Sequence, residues 1–342
     1  MKTTSSAKAL FSIFLLAALS CTLAIGPGTE HVSAAAPAVA NSELADLAGL
    51  RFRNSSNPPT NPFPQTIAVA DFNGDGKLDM AVSVYSVFTP LSDMNILLGN
   101  SNGTFKPGPA FPLTGQNVNN AAVADFNNDG KPDMAISMPD ANEIQVLLGH
   151  GDGGFTSLPA VSATGVFVVA TGDFNGDGNA DLVLVNPGPG TITILLGNGD
   201  GTFPRRETIA IGGGPQSVAV GDFNRDGKAD LAVVNFSDDT VTILLGNGNG
   251  TFRKVPSKPA TGTQPLSVAV GDFNGDGIPD LAVTNQNDGF PLLGTVTILI
   301  GRGNGIFMPT AQSPVTGSVP ASVAVADFNG DGKEDLAVAN AG

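Results

Sequence analysis

One nine-residue pattern, first met as Asp71-Phe72-Asn73-Gly74-Asp75-Gly76-Lys77-Leu78-Asp79, recurs along this chain and constrains what it can fold into. Further copies begin at Asp125, Asp173, Asp222, Asp272 and Asp327, so successive starts lie 54, 48, 49, 50 and 55 residues apart. A chain that repeats one unit at this period builds a repeat architecture in which each unit packs on its neighbours.

Every copy places Asp, Asn, Asp and Asp at positions 1, 3, 5 and 9, and Gly at position 6. In order these are Asp71, Asn73, Asp75 and Asp79; Asp125, Asn127, Asp129 and Asp133; Asp173, Asn175, Asp177 and Asp181; Asp222, Asn224, Asp226 and Asp230; Asp272, Asn274, Asp276 and Asp280; and Asp327, Asn329, Asp331 and Asp335. Alternate residues of a tight loop can aim several oxygens at one hard cation, at about 2.3–2.6 Å. Position 7 varies (Lys77, Lys131, Asn179, Lys228, Ile278, Lys333), which suits a ligand given by the main-chain carbonyl. Asn, Asp and Gly also favour turns for conformational reasons alone. Three carboxylates crowded together, however, repel unless a positive charge sits among them. The expectation is one Ca²⁺ per loop, up to six in all. Spread over separate repeats, the six sites are expected to act independently.

Two other calcium loops share this opening. An EF-hand or dockerin loop carries its last carboxylate at position 12 and is flanked by helices. Here position 12 is Val82, Ile136, Leu184, Val233, Val283 and Val338, and the flanks alternate as strands do.

Each repeat reads as four short strands. In the fourth, Ser217-Val218-Ala219-Val220-Gly221 enters the loop and Leu231-Ala232-Val233-Val234 leaves it. Thr240-Val241-Thr242-Ile243-Leu244-Leu245 follows, then the glycine-rich turn before Phe252. Four strands in about 50 residues, with period-2 alternation and turn residues between them, indicate an all-β fold, a β-propeller of four-stranded blades.

From about residue 50 to 342 the chain resembles the FG-GAP and VCBS repeat family, the propeller type of integrin α-subunit head domains and of many exported bacterial proteins. The resemblance rests on the loop together with Ser-Val-Ala-Val before it and Leu-Ala-Val-Val after it. It implies that the loop joins the first two strands of a blade and binds Ca²⁺ through its acidic residues. It also implies a ring of about seven blades. Six repeats stand here and the sixth stops at Ala341-Gly342, so a longer parent chain is expected.

Residues 1–40 read as a signal peptide: Lys2 and Lys8 precede the apolar run Ala9 to Ile25, and small residues follow. An uncleaved anchor, or lipid attachment at Cys21, remains open. Residues 41–65 read as a linker with an outer strand at 50–53, and 66–342 as the propeller. The expected location is secreted, periplasmic or at the cell surface. Of the 31 acidic residues, eighteen are loop aspartates, and six divalent cations would bring the net charge from −15 to −3. Acidity of this kind signals bound cations and argues against nucleic acid.

His150 is the one histidine beyond residue 40, and nothing local gives it a nucleophile to serve. The chain is therefore expected not to be an enzyme but a binding or adhesion module for a protein or glycan. The alternative is an accessory domain of a secreted hydrolase whose catalytic part lies outside these residues. Strand connectivity puts the calcium loops and glycine turns on one face. The long insertions at 85–95 and 285–294, with Phe88 and Phe290, then lie on the opposite face, where partner binding is expected.

Overall fold

A computed structural model describes residues 22–23, 63–85, 92–100, 102–113, 117–286 and 293–341. Among these residues the secondary structure is entirely β. Residues 50–53, Phe88 and Phe290 lie outside them.

The strands form six antiparallel sheets. The first joins β2 (Phe63–Ala70), β3 (Asp79–Tyr85), β4 (Asp93–Gly99) and β5 (Phe105–Pro112). The second holds β6 (Asn120–Ala124), β7 (Asp133–Met138) and β8 (Glu143–Gly149), with a broken outer strand, β9 (Phe155–Ser157) and β10 (Val161–Ser162), both pairing β8. The third runs β11 (Val168–Gly172), β12 (Asp181–Asn186), β13 (Thr191–Leu196) and β14 (Arg205–Ala210). The fourth runs β15 (Pro215–Gly221), β16 (Asp230–Asn235), β17 (Thr240–Gly246) and β18 (Phe252–Lys254). The fifth runs β19 (Pro265–Gly271), β20 (Asp280–Asn285), β21 (Thr295–Gly301) and β22 (Phe307–Pro309). The sixth pairs β23 (Pro320–Ala326) with β24 (Asp335–Asn340), and β1 (Thr22–Leu23) lies antiparallel on the far edge of β24. That third position is the one the sequence leaves without a counterpart in its last repeat. The first blade strand begins at Phe63, inside the stretch read as linker.

Four first strands open with a residue pair at which the register slips, at Pro64/Thr66, Pro215/Ser217, Pro265/Ser267 and Pro320/Ser322. Proline cannot donate to a ladder, so a strand start beside a bulge is where it is tolerated.

The core lies between sheets, not within them. Second strands are buried along both faces, as in Asp181–Asn186 and Asp230–Asn235, because each sheet is covered by one neighbour in front and one behind. One cluster joins Phe72, Met94 and Ile96 of the first sheet to Met134, Ile136 and Phe155 of the second. The same layering recurs between the second and third, third and fourth, and fourth and fifth sheets. Innermost strands touch in chain order, β2, β6, β11, β15, β19 and β23. In the last sheet β24 is only half-buried over Asp335–Val338, since among the described residues no further sheet covers its outer face. Outer strands carry the charge: Arg205, Arg206, Glu207, Arg253 and Lys254 are all exposed, which blunts edges open to unwanted strand addition.

Candidate metal centre

Each aspartate loop joins the first and second strands of its sheet and is wound by its own side chains. In the first, Asp71 accepts the amides of Asp75 (3.0 Å) and Gly76 (2.7 Å). Asn73 Oδ1 accepts Asp75 N–H at 2.9 Å, and Asp75 accepts Lys77 N–H at 3.0 Å. The amide of the position-6 glycine reaches the position-1 carboxylate in all six loops, at 2.7–2.9 Å. Those glycines have φ between 77° and 84°, a region that resists any side chain. Asx turns of this kind are what put alternating oxygens at positions 1, 3 and 5.

Position 9 is different in kind. Asp79, Asp133, Asp181, Asp230 and Asp280 open the second strand and are fully buried. In each, one oxygen accepts the amide of the loop's position-2 phenylalanine. The other accepts, at 2.7 Å, the amide of the glycine that closes the third strand. For Asp230 the first partner is Phe223 N–H at 2.9 Å. That glycine cannot carry a side chain: a Cβ on Gly246 would collide with the carbonyl oxygen of Ala229. Asp335 keeps its bond to Phe328 N–H at 3.0 Å, but among the described residues it has no third-strand glycine and is only half-buried.

Electrostatics separate the two tiers. Burial holds the carboxyl of Asp79 above the usual carboxylate range. The amides of Gly99 and Phe72 oppose that rise, and the nearby charges of Asp71 and Asp75 reinforce it. Asp133, Asp181, Asp230 and Asp280 are raised in the same way, burial first, with the matching amides opposing and the loop carboxylates reinforcing. On the rim, Asp75 is lowered, first by its hydrogen bond with Lys77. The Lys77, Lys131 and Lys228 ammonium groups stand 2.8, 3.5 and 3.6 Å from the position-5 carboxylates of their own loops.

The donors fit a hard divalent cation: they are all oxygens, and a buried carboxylate in each complete loop stands under the repulsion of two others. The convergence is looser than the sequence pattern suggests, since among the described residues no three acidic, His or Cys side chains close on a common point. A carboxylate oxygen that accepts one amide retains a lone pair for a further partner.

Two functional features escape the sequence pattern. One is the latch role of position 9. The other is a set of edge-to-face phenylalanine pairs between sheets, Phe72–Phe155, Phe126–Phe203, Phe174–Phe252 and Phe223–Phe307, at 5.4–5.7 Å between centroids. The invariant position-2 phenylalanine and the one closing each glycine turn were the visible signal. On the opposite face Asn186, Asn235 and Asn285 end their second strands and donate to threonine hydroxyls of the third, as Asn235 does to Thr240 and Thr242 at 3.1 and 2.9 Å. An Asn followed by Thr-x-Thr in the third, fourth and fifth repeats is that feature's trace in the sequence.

His150 sits in the glycine turn of the second sheet, its Nε2 2.8 Å from Thr156 Oγ1. In their own turns Asn100 and Asn247 donate instead to Thr104 and Thr251, which precede the closing phenylalanine where Thr156 follows it.

The family model for the FG-GAP-like repeat matches residues 84–136, 125–184, 173–233, 226–283 and 284–338, and the one for the FG-GAP repeat matches 63–95. Among solved structures, a protein from Lactobacillus plantarum aligns over 81% of this chain and 82% of its own, with a TM-score of 0.57 and 14% identity. The periplasmic gluconolactonase PpgL of Pseudomonas aeruginosa aligns over 82% of this chain and 74% of its own, with a TM-score of 0.53 and 20% identity. At such identity the likeness is one of fold. It nevertheless corrects the expectation that the chain is not an enzyme: a gluconolactonase is built on the same architecture, so a chain of this fold cannot be set aside as non-catalytic for want of a partner beside His150.

Proposed function

The chain belongs to the FG-GAP repeat family, and from that premise we propose that it is an exported calcium-binding β-propeller serving as a binding module for a protein or glycan partner. One observation carries the metal reading. In five loops a buried carboxylate lies under the repulsion of two more; two backbone amides oppose this only in part, so that its carboxyl stays raised. The side chains at positions 1, 3, 5 and 9 and the carbonyl at position 7 would hold the ion; in the fourth loop these belong to Asp222, Asn224, Asp226, Asp230 and Lys228. A bound divalent cation supplies neutralisation there and fixes the loop.

The proposed location is the cell exterior or periplasm, supported by the signal-like N-terminus and by the surplus of loop carboxylates, which suits a compartment rich in calcium. Among the described residues no helix is long and apolar enough to cross a membrane. Partner recognition is assigned to the face opposite the aspartate loops. The connections between second and third strands meet those between sheets there, as where Asp239 Oδ1 accepts Gln264 N–H at 2.7 Å.

Equilibrium dialysis with radioactive calcium tests the metal reading. Binding that saturates at several ions per chain, falling by one in Asp226→Ala, supports it. Saturation below one ion per chain overturns it. For the partner surface, a glycan array and an affinity capture compare the wild type with Phe88→Ala and Phe290→Ala, and equal signals from all three sink that assignment.

A further inference from the structure

The glycine turns joining third and fourth strands stand between consecutive aspartate loops and touch both. In the third sheet, the space beside Gly199 is filled by Asn128, at position 4 of the second loop, and by Asn179, at position 7 of the third. These two side chains bond to each other, Asn128 Nδ2 donating to Asn179 Oδ1 at 2.7 Å. Two residues on, Gly201 donates its N–H to the carbonyl of Phe126, position 2 of the second loop, at 2.8 Å.

The arrangement repeats around the arc. Gly153 donates to Phe72, Gly250 to Phe174 and Gly305 to Phe223, at 2.8–2.9 Å, always from the later sheet to the loop of the earlier one. A Cβ placed on Gly303 would meet Arg225 of the fourth loop at 3.1 Å and Ile278 of the fifth at 3.6 Å. Between the fifth and sixth loops, where no such turn occurs among the described residues, Glu334 at position 8 accepts the amide of Asp272 at position 1. Each phenylalanine carbonyl is therefore flanked by candidate ligands of its own loop and bonded to the next sheet.

We infer that the cation loops are coupled from each blade to the next through the glycine turns, so that calcium affinity at one loop depends on occupancy of the loop before it. The inference rests on the reading that the loops bind calcium. A cation held by Asp125, Asn127 and Asp129 fixes the backbone between them, and with it the Phe126 carbonyl and the Asn128 side chain. Those two groups hold residues 198–202, which lie against position 7 of the third loop, where a ligand carbonyl must be placed. Ordering done once by the second loop need not be repeated by the third, which is positive cooperativity without a change of fold. The expectation of independent sites treated each loop as enclosed by its own repeat, and these contacts run between repeats.

The test is a calcium titration of the full chain read by hydrogen exchange, with loop 173–181 compared to loop 272–280. Asp129→Asn removes one candidate ligand charge and keeps an acceptor for the Lys131 amide. Asp129→Ala serves as the second variant, and protection of β7 and β12 verifies folding in both. Disabling the second loop is expected to move the calcium midpoint of loop 173–181 upward by about fivefold or more, the lower end of ordinary coupling between sites, and to leave loop 272–280 in place. Unchanged midpoints at both loops, in a variant whose own loop no longer responds, overturn the coupling alone. Absence of calcium-dependent protection in every loop of the wild type overturns the calcium reading itself, and the coupling with it.

Discussion

Phe126 and Phe203 meet edge to face, 5.7 Å apart, across the boundary between the second and third sheets. Phe126 is 1% exposed, yet it belongs to a loop whose remaining side chains are largely at the surface. The pair anchors a surface loop in the core between two blades. Phe273, the equivalent residue of the fifth loop, finds no such partner among the described residues and is only half-buried.

Truncating either ring should therefore cost about 3–5 kcal/mol, the usual range for a buried aromatic. In a double-mutant cycle Phe126→Ala and Phe203→Ala should show a coupling of about 0.5–1.5 kcal/mol. Denaturant unfolding of the four proteins measures it, and strict additivity would mean that the rings merely neighbour each other. Phe273→Ala should cost less than Phe126→Ala.

Position 9 and position 5 should differ in what they contribute without metal. Asp230→Ala leaves the amides of Phe223 and Gly246 without acceptors, at about 1–3 kcal/mol each, whether or not calcium is present. Asp226→Ala removes a rim carboxylate whose acceptor role is a local turn, so in EDTA its cost should be small and in calcium larger. Urea midpoints of both variants in both buffers decide this. Equal costs of the two variants in EDTA would contradict the two-tier description.

Gly246→Ala tests the closeness of third strand and loop. Its new methyl would collide with the Ala229 carbonyl oxygen, a backbone atom that cannot rotate away. A loss of about 3 kcal/mol, the upper end for overpacking, is expected. A neutral substitution would show that the strand end and loop base separate freely.

The architecture was legible in the residues because its signals are local and repeated: alternation in the strands, glycine at a positive φ, and one loop copied six times. The aspartate set was legible for the same reason. What the sequence could not convey was direction. Nothing local says that Asp230 turns inward to two amides while Asp226 turns outward beside Lys228, or that Gly201 binds a carbonyl 75 residues earlier. Those facts depend on how blades stack, and stacking is a property of pairs of repeats. The non-catalytic expectation failed for a related reason, since it was argued from residues close in sequence while sites on propellers are assembled from several blades.

The central claim is that cations complete these loops, and thermal unfolding with and without calcium tests it most directly. At ~1 mM Ca²⁺ and a dissociation constant of roughly 10⁻⁴ to 10⁻³ M, each occupied loop contributes about 0.4–1.4 kcal/mol. Summed over several loops, this should raise the melting temperature by about 5 °C or more over the value in EDTA. Mg²⁺, which prefers a smaller octahedral shell and keeps its waters, should restore less. Identical melting temperatures in EDTA and in millimolar calcium would contradict the account.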